Sequence, residues 1–323
     1  MRPLACRCGQ AVHFDNDHCT ACSRALAFDP ASLAMASETE PGAGMSFCAH
    51  RNSAVRCNWL APGGGSCLSC RMSRIIPTLA KEENRSRWRK LESAKRRLIY
   101  DLLALRLPVD PGHLEFVFKE DRRTNPDVSD DHVGIGHRDG VITINAAEAD
   151  EVYRERMRQA MNEPVRTLLG HFRHESGHYY FDLVVQGDLR EAARDLFGDE
   201  RADYEDAMQR YYEAGPPNDW SQRFISAYAS AHPAEDWAEC WAHYLHIQGL
   251  RESAHAAGWV AAGPEPGWYE DFVRVVIGLN DMVRSLGLPD AYPFVVTGPV
   301  AKKLEFVHHA IGRFTNRPGV PSA

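Results

Sequence analysis

The stretch HFRHESGHYYFD, residues 171–182, decides how this chain is read. It contains His174-Glu175-Ser176-Gly177-His178, the pattern H-E-x-x-H. Residues four apart on a helix stand one turn above each other, so both imidazoles can reach a single Zn²⁺. Glu175, beside His174, is then placed as a general base: zinc lowers the pKa of a water toward ~7 and polarises a scissile carbonyl, while the carboxylate takes the proton. The five-residue pattern arises by chance in roughly one such chain in 20, so the rest of the sequence has to carry the reading. Gly177 inside a helix costs ~1 kcal/mol against Ala and needs a reason, such as close packing.

A catalytic zinc needs a third protein ligand and one open position. The best supplier is AYASAHPAEDWAECWAHYLH, residues 227–246. Pro233 suits a first helical position. Glu235, Glu239, His243 and His246 follow as one polar stripe on a helix whose other faces carry Trp237, Trp241, Tyr244 and Leu245. A helix this aromatic is expected to be buried, and buried carboxylates and imidazoles must be paired or bind metal. Spacing alone allows Glu235 or Glu239 as the ligand. Asp182, four residues after His178, could fix that ring by accepting its free N–H, or be an ordinary helix-face aspartate. His171 shares the same face and reads as structural or exposed.

The chain has 323 residues, which favours about two domains. Hydrophobic residues make up 44% and charged residues 25%, the balance of a globular protein with a core. There are 37 basic and 44 acidic residues, a net of −7, which argues against a dedicated nucleic-acid binder. No apolar run approaches the ~18 residues of a membrane span. The opening MRPLACRCGQ lacks the ~7–15-residue apolar run of a secretory signal, so the expected compartment is the cytosol.

Eight of the nine cysteines fall within the first 70 residues, and in a reducing compartment such clustering means metal rather than disulfides. Cys6-x-Cys8 and Cys19-x2-Cys22 can offer four thiolates to one tetrahedral zinc. Cys48, Cys57 and Cys67-x2-Cys70 make a second set. His13, His18 and His50 are spare ligands. Ribbons can also pair knuckles across a long insertion, which leaves the partition open, and Cys₄ sites bind iron as well. Closed sites of this kind are structural and can recruit a protein partner. Cys240 reads as a small apolar residue in its helix.

Residues 1–75 thus form a ribbon module, with 31–46 as a small-residue linker and PGGGS at 62–66 as a loop. Residues 76–323 form a second domain. Trp88, Leu91, Ala94, Leu98, Leu102 and Leu105 recur at helical spacing. Arg85, Arg87, Arg89, Lys90, Lys95, Arg96 and Arg97 on that helix read as a solvated face, or as a basic surface for a partner. LEFVFKE, residues 114–120, alternates as a half-buried strand, and 133–145 is a hairpin turning at Asp139-Gly140, able to pair with extended substrate. Helices are expected over about 146–161, 163–186 (with Pro164 in the first turn and Gly187 at the end), 199–213 and 233–248. Asp199 and Glu200 would stand at the positive end of the third. The tail from Pro289 predicts no element.

The whole chain resembles a bacterial family of zinc-binding metallopeptidases with an N-terminal zinc ribbon. The resemblance rests on RCNWLAP, ESAKRRLIYDLLALRLP, VITINAAEADEVYRERMR, RTLLGHFRHESGHYYFD, LFGDERADY and SAYASAHPAEDWAECWAHYLHI. The site is also similar to gluzincin-type peptidases of the anthrax lethal factor and Mlc titration factor A kind. Those carry a Tyr seven residues before a ligand Glu preceded by Ala, here Tyr228, Ala234 and Glu235. The resemblance implies Glu235 as third ligand, Tyr228 as a phenol donor to the oxyanion, and Glu239 as a residue orienting a ligand histidine.

The expected fold is α+β: a mainly helical, zincin-like domain with a small antiparallel sheet, preceded by the ribbon module. The expected activity is peptide-bond hydrolysis in a peptide or protein substrate, with one catalytic and up to two structural Zn²⁺ and no membrane or nucleic-acid partner. The rival reading is a non-catalytic adaptor that binds a protein or nucleic acid through the ribbons and the basic helix.

Overall fold

A computed structural model of the chain describes residues 2–37, 44–260 and 267–317. They fall into two units, residues 3–172 and, with Arg2, residues 173–317.

In the first unit the cysteine-rich segment builds three short antiparallel pairs: β1 (Leu4–Ala5) with β2 (Ala11–Val12), β3 (Leu26–Asp29) with β4 (Ala34–Ser37), and β5 (Met45–Phe47) with β6 (Leu60–Pro62). Strands β4 and β5 occupy the ends of the expected linker, and its centre, 38–43, lies outside the described residues. The PGGGS loop is a turn with Gly63 and Gly64 at φ of +60° and +75°. Phe14, Phe28 and Trp59 pack edge-on or tilted, with ring centroids 4.9–6.2 Å apart, and Tyr100 joins them at 5.6 Å from Phe14.

Tyr100 belongs to α2 (Glu82–Ala104), which follows α1 (Leu68–Arg71) and β7 (Ser73–Ile75). Beyond it lie β8 (Glu115–Lys119), β9 (Gly136–Arg138), β10 (Val141–Asn145) and α3 (Glu151–Ala160). The sheet order is β7-β8-β10-β9. The α+β class holds, but this sheet is mixed rather than antiparallel. Both β7/β8 and β8/β10 run parallel, and β10/β9 is the antiparallel pair. Parallel neighbours require long crossovers, which α2 and the segment 120–135 supply. The hairpin turns as the sequence indicates, with Asp139 and Gly140 both at positive φ, +49° and +79°. Strand β8 is buried at Phe116, Val117 and Phe118 alike, because it has neighbours on both edges and cover on both faces.

The basic stripe of α2 is not a free surface. Lys95 is fully buried, 2.8 Å from the carboxylate of Glu92, and Arg96 is buried too. Arg85 pairs with Glu82, Arg87 with Asp150, Lys90 with Glu151 and Arg97 with Asp15, while Arg89 donates to the Ala54 carbonyl.

Helix α4 (Leu168–Val184) starts in this unit and continues into the second. It begins at Leu168 rather than near 163, because Thr167 Oγ1 accepts the Gly170 amide at 2.9 Å and caps it. Pro164 precedes the helix. Phe172 packs edge-on against Phe116 and Phe118, at 5.6 and 6.0 Å, and anchors this end of α4 to the sheet. His171 lies 3.3 Å from Glu148, in a 3-10 turn over Ala146–Ala149 that opens the segment expected as one helix over 146–161.

The second unit is helical. Helix α5 (Asp188–Phe197), which the sequence reading lacks, precedes α6 (Tyr204–Ala214) and α7 (Trp220–Arg223). Helix α6 starts at Tyr204 rather than 199, since the Asp203 carboxylate accepts the Asp206 amide. Asp199 and Glu200 lie before it, paired with Arg201 and Arg194. Helix α8 (Pro233–Ala256) is capped by His232 Nδ1, which accepts the Ala234 amide, and runs past the expected 248. Helix α9 (Trp268–Ser285) comes before the tail and α10 (Gly298–Thr315) lies within it, both outside the sequence reading. Trp237, Trp241 and Tyr244 of α8 are each about fully buried. A buried pair, Lys303 Nζ to Asp236 Oδ2 at 2.5 Å, ties α10 to α8. Among the described residues no helix is long and apolar enough to cross a membrane.

Candidate metal centre

Helices α4 and α8 meet at Gly177. A Cβ there would lie 3.0 Å from Ala238 Cα and 3.1 Å from Trp241 Cβ, so the glycine is what lets the two helices come this close. Two indoles fix their register: Trp237 Nε1 donates to the Gly177 carbonyl at 2.9 Å and Trp241 Nε1 to Ser176 Oγ at 3.0 Å. The close-packing reason that a glycine in this position demands is therefore met.

This register brings His174 and His178 of α4 against Glu235 of α8. His174 Nε2 lies 2.9 Å from Glu235 Oε2 and His178 Nε2 3.6 Å from Glu235 Oε1. The three residues offer ligand atoms within 4.8 Å of one another. Two imidazole nitrogens and one carboxylate form a donor set that suits zinc. Glu239, one turn further along α8, lies on the other side of His174, 2.7 Å from its Nδ1. Burial disfavours charge on His174, yet Glu235 and Glu239 hold its pKa well above the usual imidazole value. Burial likewise opposes the Glu235 and Glu239 carboxylates. His174 and His178 pull Glu235 well below the usual range, and His174 brings Glu239 to about 2. Glu175, also buried, lies close enough for its charge to act on Tyr204 and Tyr228.

Tyr228 sits in a 3-10 turn, Tyr228–Ser230, just before α8, with its ring 5.9 Å from that of His174. Burial raises its phenol pKa strongly, and the charge on Glu235 adds to this. The remaining members of the predicted stripe turn elsewhere. His243 Nδ1 lies 2.8 Å from the Tyr292 hydroxyl, and burial lowers its pKa to about 4. His246 stands 6.0 Å from it, ring to ring. Asp182 does not serve His178. It is exposed and pairs with Arg190 of α5, whose guanidinium outcompetes a ring N–H for a surface carboxylate. Tyr204 closes the stretch LFGDERADY, and the sequence reading gives it no role. Its hydroxyl donates to Glu235 Oε1 at 2.8 Å, and no motif marks a tyrosine that opens a charged helix.

The eight clustered cysteines separate into Cys6, Cys8, Cys19, Cys22 and Cys48, Cys57, Cys67, Cys70. Sulfur–sulfur distances are 3.7 Å for Cys6–Cys22 and Cys8–Cys19, 3.8 Å for Cys48–Cys70 and 3.6 Å for Cys57–Cys67. A tetrahedron with Zn–S bonds of about 2.3 Å has edges of about 3.8 Å, so both sets fit zinc. Cys6-x-Cys8 meets this geometry with one residue between its cysteines, where ribbon knuckles usually have two. His18 instead meets Asp17, and His50 meets Ser66. Cys240 is buried, with its sulfur 3.7 Å from Asp236.

A family model described as "Putative zinc-binding metallo-peptidase" matches residues 84–310, and a zinc-ribbon domain model matches residues 4–81. The chain belongs to that metallo-peptidase family. Uncharacterized proteins of Mycobacterium bovis and of two strains of Mycobacterium tuberculosis are each 38% identical to it over 337 residues, covering 96% of this chain and 95% of their own. No solved structure matches the chain. Membership in the family supports zinc binding, peptidase chemistry and peptide or protein substrates.

Proposed function

We propose that the chain is a cytosolic zinc metallopeptidase of the gluzincin type, with a double-ribbon module at 1–75 and the catalytic domain at 76–323. The observation that carries this is the convergence of His174, His178 and Glu235 from α4 and α8, backed by Glu239. His174, His178 and Glu235 would hold one catalytic zinc, and the two cysteine sets one structural zinc each. A zinc held by these residues would supply Lewis acidity, lowering the pKa of a water and polarising the scissile carbonyl. Glu175 accepts the proton of the attacking water and delivers it to the leaving amine. Tyr228, kept protonated by burial, donates its phenol hydrogen to the developing oxyanion. Glu239 fixes the tautomer and orientation of His174 through Nδ1. The paired state of the cations on α2 weighs against that helix as an adaptor's docking face.

The test is zinc content and cleavage of fluorescein-labelled casein by the full chain and by Glu175→Gln. The wild type should hold three zincs. Glu175→Gln should hold three as well and lose at least about 100-fold in rate, the share general-base catalysis commonly supplies. Equal activity in the variant removes Glu175 from the mechanism. Two zincs and no cleavage in the wild type leave the adaptor reading.

A further inference from the structure

Tyr204 is the first residue of α6, and the Asp203 cap fixes where its side chain leaves the backbone. Its hydroxyl donates to Glu235 Oε1 at 2.8 Å, the same oxygen that faces His178 Nε2. Its ring stands edge-on to His232, the cap of α8, with centroids 5.2 Å apart. One side chain therefore touches both the cap of α8 and the carboxylate three residues further on.

We propose that Tyr204 is a positioning residue of the metal centre: it occupies Glu235 Oε1 and leaves Oε2 available to a metal. This rests on the metallopeptidase reading above. A carboxylate with two unoccupied oxygens can ligate through either or both, whereas a donor fixed on one selects the other. The hydroxyl achieves this without crowding the site, because Tyr204 is 44% exposed and its body lies at the rim. Partners that orient a ligand in this way commonly change metal affinity by about 10- to 100-fold when removed.

The experiment compares full-length wild type, Tyr204→Phe, Tyr212→Phe and His174→Ala by zinc competition with a chelator. Tyr212 lies on the same helix, is 68% exposed, and controls for loss of a phenol nearby. Three zincs in the wild type and two in His174→Ala establish the third site. Tyr204→Phe should then bind that third zinc about 10- to 100-fold more weakly, while its two ribbon zincs and its Tm stay at wild-type values and Tyr212→Phe behaves as wild type. With cobalt in the third site, Tyr204→Phe should also shift the weak d–d absorption, which reports the oxygen ligand and which packing alone does not move. Unchanged third-site affinity and an unchanged cobalt spectrum in Tyr204→Phe overturn this proposal and leave the metallopeptidase reading standing. Two zincs in the wild type overturn both.

Discussion

Gly177 lacks a side chain because the α8 backbone fills the space one would need. Replacing it with Ala puts a methyl 3.0 Å from Ala238 Cα, and neither helix can yield without moving an indole that is hydrogen-bonded across the crossing. We expect Gly177→Ala to cost about 1–3 kcal/mol as overpacking does, visible as a lower Tm. It should also weaken third-site zinc, because His174 and His178 flank the position on the same helix. A Gly177→Ala protein with wild-type Tm and zinc content would mean that the crossing is looser than its contacts indicate. At this scale the sequence is a good guide where chemistry repeats at fixed spacing, as for His174 and His178. It is a poor one where the partner comes from a distant element. Spacing puts Asp182 on the same helix face as His178 but says nothing of Arg190, which takes it. Tyr204 has no spacing signal at all.

The 3-10 turn Ala146–Ala149 shows the same physics one level up. Its Glu148 is 3% exposed at the side chain and faces both Arg166 (2.6 Å) and His171 (3.3 Å), so it ties the turn after β10 to the start of α4. Burial alone would raise its pKa, but His171 and Arg166 hold it down to about 2. A carboxylate depressed in the folded state stabilises fully above its unfolded value of about 4.3 and loses that contribution as pH falls through its folded one. The shift corresponds to about 3 kcal/mol. Glu148→Gln should therefore lower the Tm at neutral pH, and its stability should fall less steeply than wild type between about pH 4.5 and 2. Parallel slopes in that window would exclude Glu148 as an acid-sensitive contact. Elements differ in how plainly they show. Helix α8 is legible from Pro233 and its aromatic faces. Helix α5 carries Leu189, Ala193 and Phe197 at helical spacing, all buried, and still stands outside the sequence reading. Helix α10 hides behind the Pro and Gly of the tail, although its own Pro lies in the first turn, where it fits. The direction of β8 against β10 is not legible, because alternation gives a strand's faces and not its neighbours.

At the scale of the molecule, composition and compactness draw different lines. The cysteine-rich composition ends near residue 75, whereas the compact unit runs on to 172. The reason lies between Cys70 and β7, where Arg71 and Met72 are the whole connection. The Met72 carbonyl accepts the Phe116 amide at 2.8 Å, and Ser73 and Ile75 pair with Phe116 and Val117. The strand that shields one edge of β8 is thus spliced directly to a thiolate knuckle, and the edge it shields carries Phe116, Val117 and Phe118. A ribbon stripped of its ion loosens the chain from which β7 starts and leaves β7 to its short ladder with β8, and an apolar edge that comes uncovered is a template for a neighbouring chain. Chelation should therefore cause self-association that rises with protein concentration in light scattering, and a monodisperse metal-free protein would refute this. Zinc supply would then govern solubility before it governs catalysis: a cell short of the metal would lose this protein to clumping and clearance, rather than keep a pool of idle enzyme awaiting an ion.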